Sequence, residues 1–185
     1  MKYINNNIWV IIIFLCSYTT LGQVFTKTQW IKYSYHFISF KAPKGTQILS
    51  FPDPLPEKKP TSAFFDIKIP FNDKVKLLIH IECLKKESKI MSGLSPIQFY
   101  NKIKSELLKD QKTIHKSKIQ ITKSKLSGEL IVINCQNQLK QLWQILAYND
   151  KIFLSVLWTS PTQQSEIIKF LVISILNTFE FNANL

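Results

Sequence analysis

Residues 127–160 constrain this chain more than any other stretch. Three apolar runs follow one another: Ser127 to Cys135, Gln138 to Tyr148 and Lys151 to Trp158. They are rich in β-branched and aromatic side chains, which favour strands. The apolar positions recur at period two: Leu139, Trp143, Ile145, Ala147, then Ile152, Leu154, Val156, Trp158. That period puts alternate side chains on one face of a sheet. Asn149-Asp150 separates the last two runs, and such pairs suit two-residue hairpins because both residues tolerate positive φ. The stretch predicts an antiparallel meander, with Ser127-Gly128 read as a turn leading into it.

Upstream, Trp30 to Lys41 reads as one first strand, and Ala42-Pro43-Lys44-Gly45 as a turn in which Pro presets φ and Gly takes positive φ. Ile48 to Phe51 is a short apolar piece. Pro52, Pro54, Pro56 and Pro60 then punctuate a loop that cannot join a ladder. Ala63–Ile69 and Lys74–Leu84 predict a hairpin around Phe71-Asn72-Asp73, with Leu77, Ile79, Ile81 and Cys83 on one face. Lys85 to Gly93 is polar and reads as a mobile loop. Ser95-Pro96-Ile97-Gln98 is a capping box with Pro at the first helical position. The helix it opens has Ile97, Tyr100, Ile103, Leu107 and Leu108 as its predicted inner face. Thr113 to Ile121 and the residues from Lys123 onward supply further strand. Ser160-Pro161-Thr162-Gln163 repeats the capping pattern ahead of a second helix, Glu166–Asn177, apolar on nearly every side and so expected between layers. Phe179-Glu180-Phe181 predicts a short closing strand.

The order strands, helix, strands, helix argues for an α+β fold, an antiparallel sheet with helices packed on its faces. Ile81, Ile133, Trp143, Val156, Leu171 and Ile175 are expected to be buried together in its core.

The amino terminus has a different logic. Lys2 and a polar Asn5-Asn6-Asn7 precede the apolar run Ile8–Cys16. That run is too short for a membrane-spanning helix, which takes about 20 residues. It fits the hydrophobic region of a secretory signal peptide, and Thr20-Leu21-Gly22 offers small residues at the cleavage site. The expected organisation is a signal peptide at 1–22 and a single α+β domain at 23–185, with no transmembrane span after processing. The protein is then exported, to the periplasm or beyond the cell. Lipidation at Cys16 is the competing outcome, disfavoured because Leu15 occupies a position where a lipobox takes a small residue.

Taken in order, these signatures resemble the PsbP/Mog1-type fold, including small exported bacterial PsbP-like proteins. The resemblance rests on the Phe40–Gly45 strand and Pro-Lys-Gly turn, the Ser95-capped helix, and Gly128 before the meander. It rests also on the Trp143–Trp158 hairpin and the final helix running into Asn177-Thr178-Phe179-Glu180-Phe181. It implies an α/β/α sandwich that works by binding and assembly rather than catalysis, with no cofactor and no catalytic set to carry over.

The chemistry-bearing residues point the same way. His36, His80 and His115 have no ligand spacing and fall on separate predicted strands, so no metal site is expected. The sequence has no Gly-x-Ser-x-Gly, P-loop or dinucleotide fingerprint, and Glu82, Glu129 and Glu180 cannot be paired from sequence. All 24 basic residues are lysine. Without guanidinium forks, specific nucleic-acid readout is not expected. Between Lys85 and Lys125 eleven lysines stand against Glu87, Glu106 and Asp110, an excess of 11 − 3 = 8. Lys116, Lys118, Lys123 and Lys125 are the candidate patch for an envelope protein or anionic surface material, against the plainer reading of a solvated surface. Cys83 and Cys135 are candidates for a disulfide that would close a loop of about 50 residues and add about 4 kcal/mol; a buried free thiol is the alternative. Trp143, Tyr148, Phe153 and Trp158 could line a hydrophobic pocket or simply form core. The function these observations suggest is a non-enzymatic accessory or binding protein of the bacterial cell envelope. Alternatives are a carrier of a lipid or hydrophobic small molecule, with its pocket between sheet and final helix, and a hydrolase using an unrecognised pair of groups.

Overall fold

A computed structural model describes residues 29–51, 60–70, 76–109, 113–134 and 140–182. The segment read as a signal peptide, the turn expected at 71–73, most of the expected proline loop, Leu139 and Cys135 lie outside them.

Ten strands and two α-helices are present among the described residues. They run β1 (Trp30–Tyr35), β2 (Ile38–Pro43), β3 (Gln47–Ser50), β4 (Ser62–Pro70), β5 (Lys76–Lys85), α1 (Pro96–Lys109), β6 (Thr113–Ile121), β7 (Leu126–Asn134), β8 (Lys140–Tyr148), β9 (Ile152–Pro161), α2 (Ser165–Leu176) and β10 (Glu180–Phe181). Seven strands make one sheet in the order β3-β4-β5-β9-β8-β7-β6, and β1-β2-β10 make a second. Every pairing is antiparallel. The fold is therefore α+β, but with two sheets where the sequence suggested one.

The first expected strand is the reason. Trp30 to Lys41 is not continuous: the chain reverses at His36-Phe37, and His36 takes φ 48. Neither residue is a usual turn former, so composition gives no warning. The later Pro43-Lys44-Gly45 turn forms as read, with Gly45 at φ 89.

The meander also forms. Trp143, Ile145, Ala147, Ile152, Leu154, Val156 and Trp158 are all buried on one face. Its β8–β9 turn is not the expected positive-φ pair, since neither Asn149 nor Asp150 has positive φ. Instead the Asn149 side-chain carbonyl accepts hydrogen bonds from the backbone N–H groups of Lys151 and Ile152, both at 2.9 Å. This is an Asx-type turn. Ser127-Gly128 is not a turn; both residues lie inside β7.

Alternation along the strands separates two apolar clusters on opposite faces of the large sheet. On one face the second sheet and α2 cover Ile81, Cys83, Trp143, Val156, Leu171 and Ile175. On the other, α1 and the short 3-10 turn Lys89–Met91 cover Ile131, Ile133, Leu146 and Phe153. Ile133 therefore does not join the core group expected for it. It pairs with Leu142, one residue out of phase with Trp143, and a one-residue offset reverses the face. The loop expected over Lys85–Gly93 is likewise partly structured, because Met91 is fully buried beneath it.

The Ser95 capping box closes reciprocally. Ser95 N–H donates to Gln98 Oε1 at 2.9 Å, and Gln98 N–H to Ser95 Oγ at 3.4 Å. The inner face of α1 is rotated from expectation. Phe99 and Tyr100 are buried while Ile97 is 46% exposed. At about 100° per residue, Ile97 sits roughly a quarter-turn or more from the centre of the Phe99-Tyr100-Ile103-Leu107 stripe. Phe99 packs edge-on to Phe153 at 5.0 Å, and Lys104 Nζ donates to Glu129 at 2.6 Å. The second capping pattern fails: Ser160 and Pro161 are the last two residues of β9, and α2 begins at Ser165 without a side-chain cap. Nor is α2 buried all round. Ile168, Leu171, Val172, Ile175 and Leu176 face the core, while Phe170 is 67% exposed.

Candidate functional site

An antiparallel meander sends alternate loops to the same end of a sheet. Here the β6–β7 turn (residues 122–125), the β8–β9 turn (residues 149–151) and the end of β5 share one end, because Lys85 pairs with Ile152. The closing strand β10 arrives there as well. Between them lies an open cleft of about 1060 Å³.

Backbone hydrogen bonds fix its walls. Lys86 N–H donates to the Lys151 carbonyl at 2.8 Å, and Lys85 N–H to the Thr61 carbonyl at 2.7 Å. Asn149 Nδ2 donates to the Ser124 carbonyl at 3.2 Å, tying the two hairpin turns together. Asn182 N–H donates to the Phe37 carbonyl at 2.8 Å, anchoring the chain beyond β10.

Lys85, Lys86, Lys123 and Lys151 line the cleft with Glu87, Asp150 and Glu180, a formal balance of 4 − 3 = +1. Glu180 is engaged from two sides, by Lys123 Nζ at 2.5 Å and Lys32 Nζ at 3.4 Å. The hydrogen bond from Lys123, reinforced by its charge and by Lys32, holds the Glu180 carboxyl down at about 2. The linkage between β10 and the β6–β7 turn thus persists through mildly acidic pH and is lost only as pH falls towards that value. The Lys85 ammonium lies 4.4 Å from the centre of the Phe37 ring.

Of the four lysines expected as a patch, only Lys123 lines this cleft. Lys125 sits in the same turn at φ 52. Lys116 and Lys118 are exposed on β6, opposite Ile131 and Glu129 and so on the α1 side of the sheet. β6 is an edge strand, and exposed lysines there also discourage edge-to-edge pairing with other chains. Lys85 and Lys86 belong to the run of eleven lysines but not to the four singled out from it, and Lys151 lies outside that run. The available signal was topological: they flank chain reversals that an antiparallel order places at one end.

Cys83 is fully buried and has no disulfide partner among the described residues; Cys135, the other half of the candidate bridge, lies outside them. Burial pushes the Cys83 pKa well up, against a smaller opposing pull from Lys85. The three histidines lie apart, at the β1–β2 turn, on β5 and on β6. Trp143 and Trp158 are core, as the plainer reading had it.

One titratable cluster forms elsewhere. A single register row crosses the large sheet through Leu49, Asp66, His80, Leu157, Gln144, Ile131 and Lys116. In it His80 Nδ1 meets Asp66 Oδ1 at 2.7 Å, and Nε2 meets Glu82 Oε1 at 3.3 Å. Burial works against a charge on His80, but the hydrogen bonds to Asp66 and Glu82 and their negative charges outweigh it and raise its pKa. A raised folded pKa means the folded state holds the proton more tightly. The associated stability is complete below the unfolded value and lost as pH rises through the folded one. Denaturation midpoints followed from about pH 5.5 to about 8.5 should therefore fall with rising pH. His80→Gln should flatten that slope; an unchanged slope in the variant would place its origin elsewhere.

No family model matches this sequence, and no curated protein does. Solved structures do match. The chain is similar to a crystal structure from Bacteroides thetaiotaomicron VPI-5482, at 12% identity and a TM-score of 0.49, over 83% of this chain and 48% of that one. This chain thus spans about half the length of that structure. It is similar also to the solution structure of cyanobacterial PsbP (CyanoP) from Synechocystis sp. PCC 6803, at 9% identity and a TM-score of 0.48, over 83% of this chain and 93% of that one. The structure contains strands, a capped helix, a meander and a final helix in the order read from the sequence.

Proposed function

We propose that the protein is an exported, non-enzymatic accessory or binding protein of the bacterial cell envelope, meeting an acidic protein or anionic surface material at the lysine-rimmed cleft. The observation that carries this reading is the convergence of Lys85, Lys86, Lys123 and Lys151, from three separated segments, on one cleft with hydrogen-bonded walls. The net charge, +12 for the full sequence and 12 − 1 = +11 once Lys2 leaves with the signal peptide, adds a long-range field that draws acidic partners in. Export rests on the Ile8–Cys16 apolar run and the small residues after it.

The carboxylates favour binding over catalysis, because Glu129 and Glu180 are each committed to lysine. The His80 cluster lies on a sheet face beside exposed Leu78 rather than in the cleft. The seam where a carrier's pocket was expected, between the large sheet and α2, is packed with Trp143, Trp158, Leu171 and Ile175.

Exposed lysine pairs contribute about 0–1 kcal/mol each and are screened by salt. Lys86→Glu with Lys151→Glu should therefore abolish retention on a polyglutamate column at low ionic strength, with the denaturation midpoint nearly unchanged. Lys116→Glu with Lys118→Glu makes the same net change on β6 and should leave most of the retention. Equal loss in both pairs would assign binding to net charge and overturn the role of the cleft. Intact mass of the exported protein tests the other half: a mature terminus at Gln23 is expected, and a diacylglyceryl adduct on Cys16 or retention in the cytoplasm contradicts it.

A further inference from the structure

Buried polar atoms nearly always have hydrogen-bond partners, so a cluster without them calls for a physical account. Among the described residues six buried side-chain atoms lack a protein partner, and four belong to one region: Trp143 Nε1, Trp158 Nε1, Ser160 Oγ and Gln164 Oε1.

The fold brings these residues together. Trp143 and Trp158 are register partners on β8 and β9, with rings stacked 5.8 Å apart at 15°. Ser160 lies two residues further along β9, on the same face as Trp158. Gln164 ends the 3-10 turn that carries the chain from β9 into α2. Lys169, just inside α2, stands 5.7 Å over the Trp143 ring, so the start of the helix roofs this end of the sheet. Trp143, Trp158 and Ser160 are only 3%, 2% and 1% exposed.

Leaving four such groups unpaired would cost a large part of the net stability of a domain this size. Their hydrogen-bonding inventory indicates what satisfies them. Each indole N–H can only donate, the glutamine Oε1 can only accept, and a serine oxygen can accept as well as donate. That makes two donors and two acceptors. A water molecule offers two lone pairs and two hydrogens. The donors are neutral, and Lys169, the charge over the Trp143 ring, is already paired with Glu166. An anion would bury charge against neutral groups alone, whereas a neutral guest avoids that desolvation.

We propose that the buried polar atoms of Trp143, Trp158, Ser160 and Gln164 beneath the start of α2 are satisfied by ordered water. The water receives both indole N–H groups and donates to Gln164 Oε1 and Ser160 Oγ. It is part of the hydrogen bonding that seats α2 on the sheet, as buried waters with three or four partners commonly are.

Nuclear magnetic resonance of the indole groups tests this in the intact mature protein. Trp143→Phe and Trp158→Phe assign the two indole N–H signals. Both signals should show cross-peaks to water with the sign of a molecule held longer than the protein's tumbling time. Gln164→Met, which removes the acceptor at similar volume, should shift both indole resonances and weaken both cross-peaks. Absence of water cross-peaks at Trp143 and Trp158 overturns the proposal, as does a Gln164→Met variant in which both indole signals stay in place.

Discussion

Gly128→Ala should lower folding stability by about 3 kcal/mol or more, at the upper end of what overpacking costs. A Cβ at this position would lie 1.9 Å from the Leu146 carbonyl oxygen and 2.6 Å from the Ala147 Cα. Both are backbone atoms, so no rotamer change relieves the clash. β8 is held by β7 on one side and β9 on the other, and moving it disturbs both ladders. The contrast is Gly93, where a Cβ meets nothing within 4 Å but φ is +79. Gly93→Ala should cost only the strain of a left-handed backbone, about 1–2 kcal/mol. Urea denaturation of the two variants separates the causes. If Gly128→Ala loses less than about 1 kcal/mol, the close approach of β7 and β8 is not a fixed feature of the fold.

The same glycine shows where sequence legibility ends. Gly128 stands where a turn is plausible, because Ser-Gly is turn chemistry and the strand pattern strengthens only after it. What keeps β7 running through it is the neighbouring backbone, and close approach between strands leaves no local trace except the missing side chain. Period-two patterning was legible wherever one face is buried, as from Trp143 to Trp158 and from Leu77 to Cys83. It gave the face of each strand but not the phase between strands, so Ile133 was grouped with the wrong layer. Capping was legible at Ser95, where serine and glutamine answer each other, and misleading at Ser160, where the same letters end a buried strand. The cleft was legible only for Lys123. Lys85, Lys86 and Lys151 become neighbours through strand order, and strand order is a long-range property that no short window contains.

The two-sheet architecture was the feature least visible in advance, and Phe40 is its measurable centre. Phe40 is buried on β2 and touches three rings: Tyr33 at 5.8 Å, Phe65 at 5.9 Å and Phe179 at 5.2 Å. Phe65 belongs to the large sheet, Tyr33 to the small one, and Phe179 leads from α2 into β10. Phe40 thus ties the small sheet and the end of α2 to the large sheet, with which the small sheet shares no strand pairing among the described residues. Phe40→Ala should cost about 3–5 kcal/mol, the range for a deleted core phenylalanine. Phe40→Leu keeps most of the apolar volume but loses the ring contacts, and should cost about 1–2 kcal/mol. The manner of the loss matters as much as its size. A three-stranded sheet whose last strand has two residues has too little buried surface to stand alone. Its stability is therefore borrowed from the packing against Phe65 and Phe179, and it should unfold with the large sheet rather than before it. Hydrogen exchange reads this directly. In Phe40→Ala the slowest amides of β2 and those around Ile81 and Val156 should lose protection together. Loss confined to β1, β2 and β10, with Ile81 and Val156 protected as in the parent, would mean that the small sheet is an independently docked flap and that Phe40 only seals its edge.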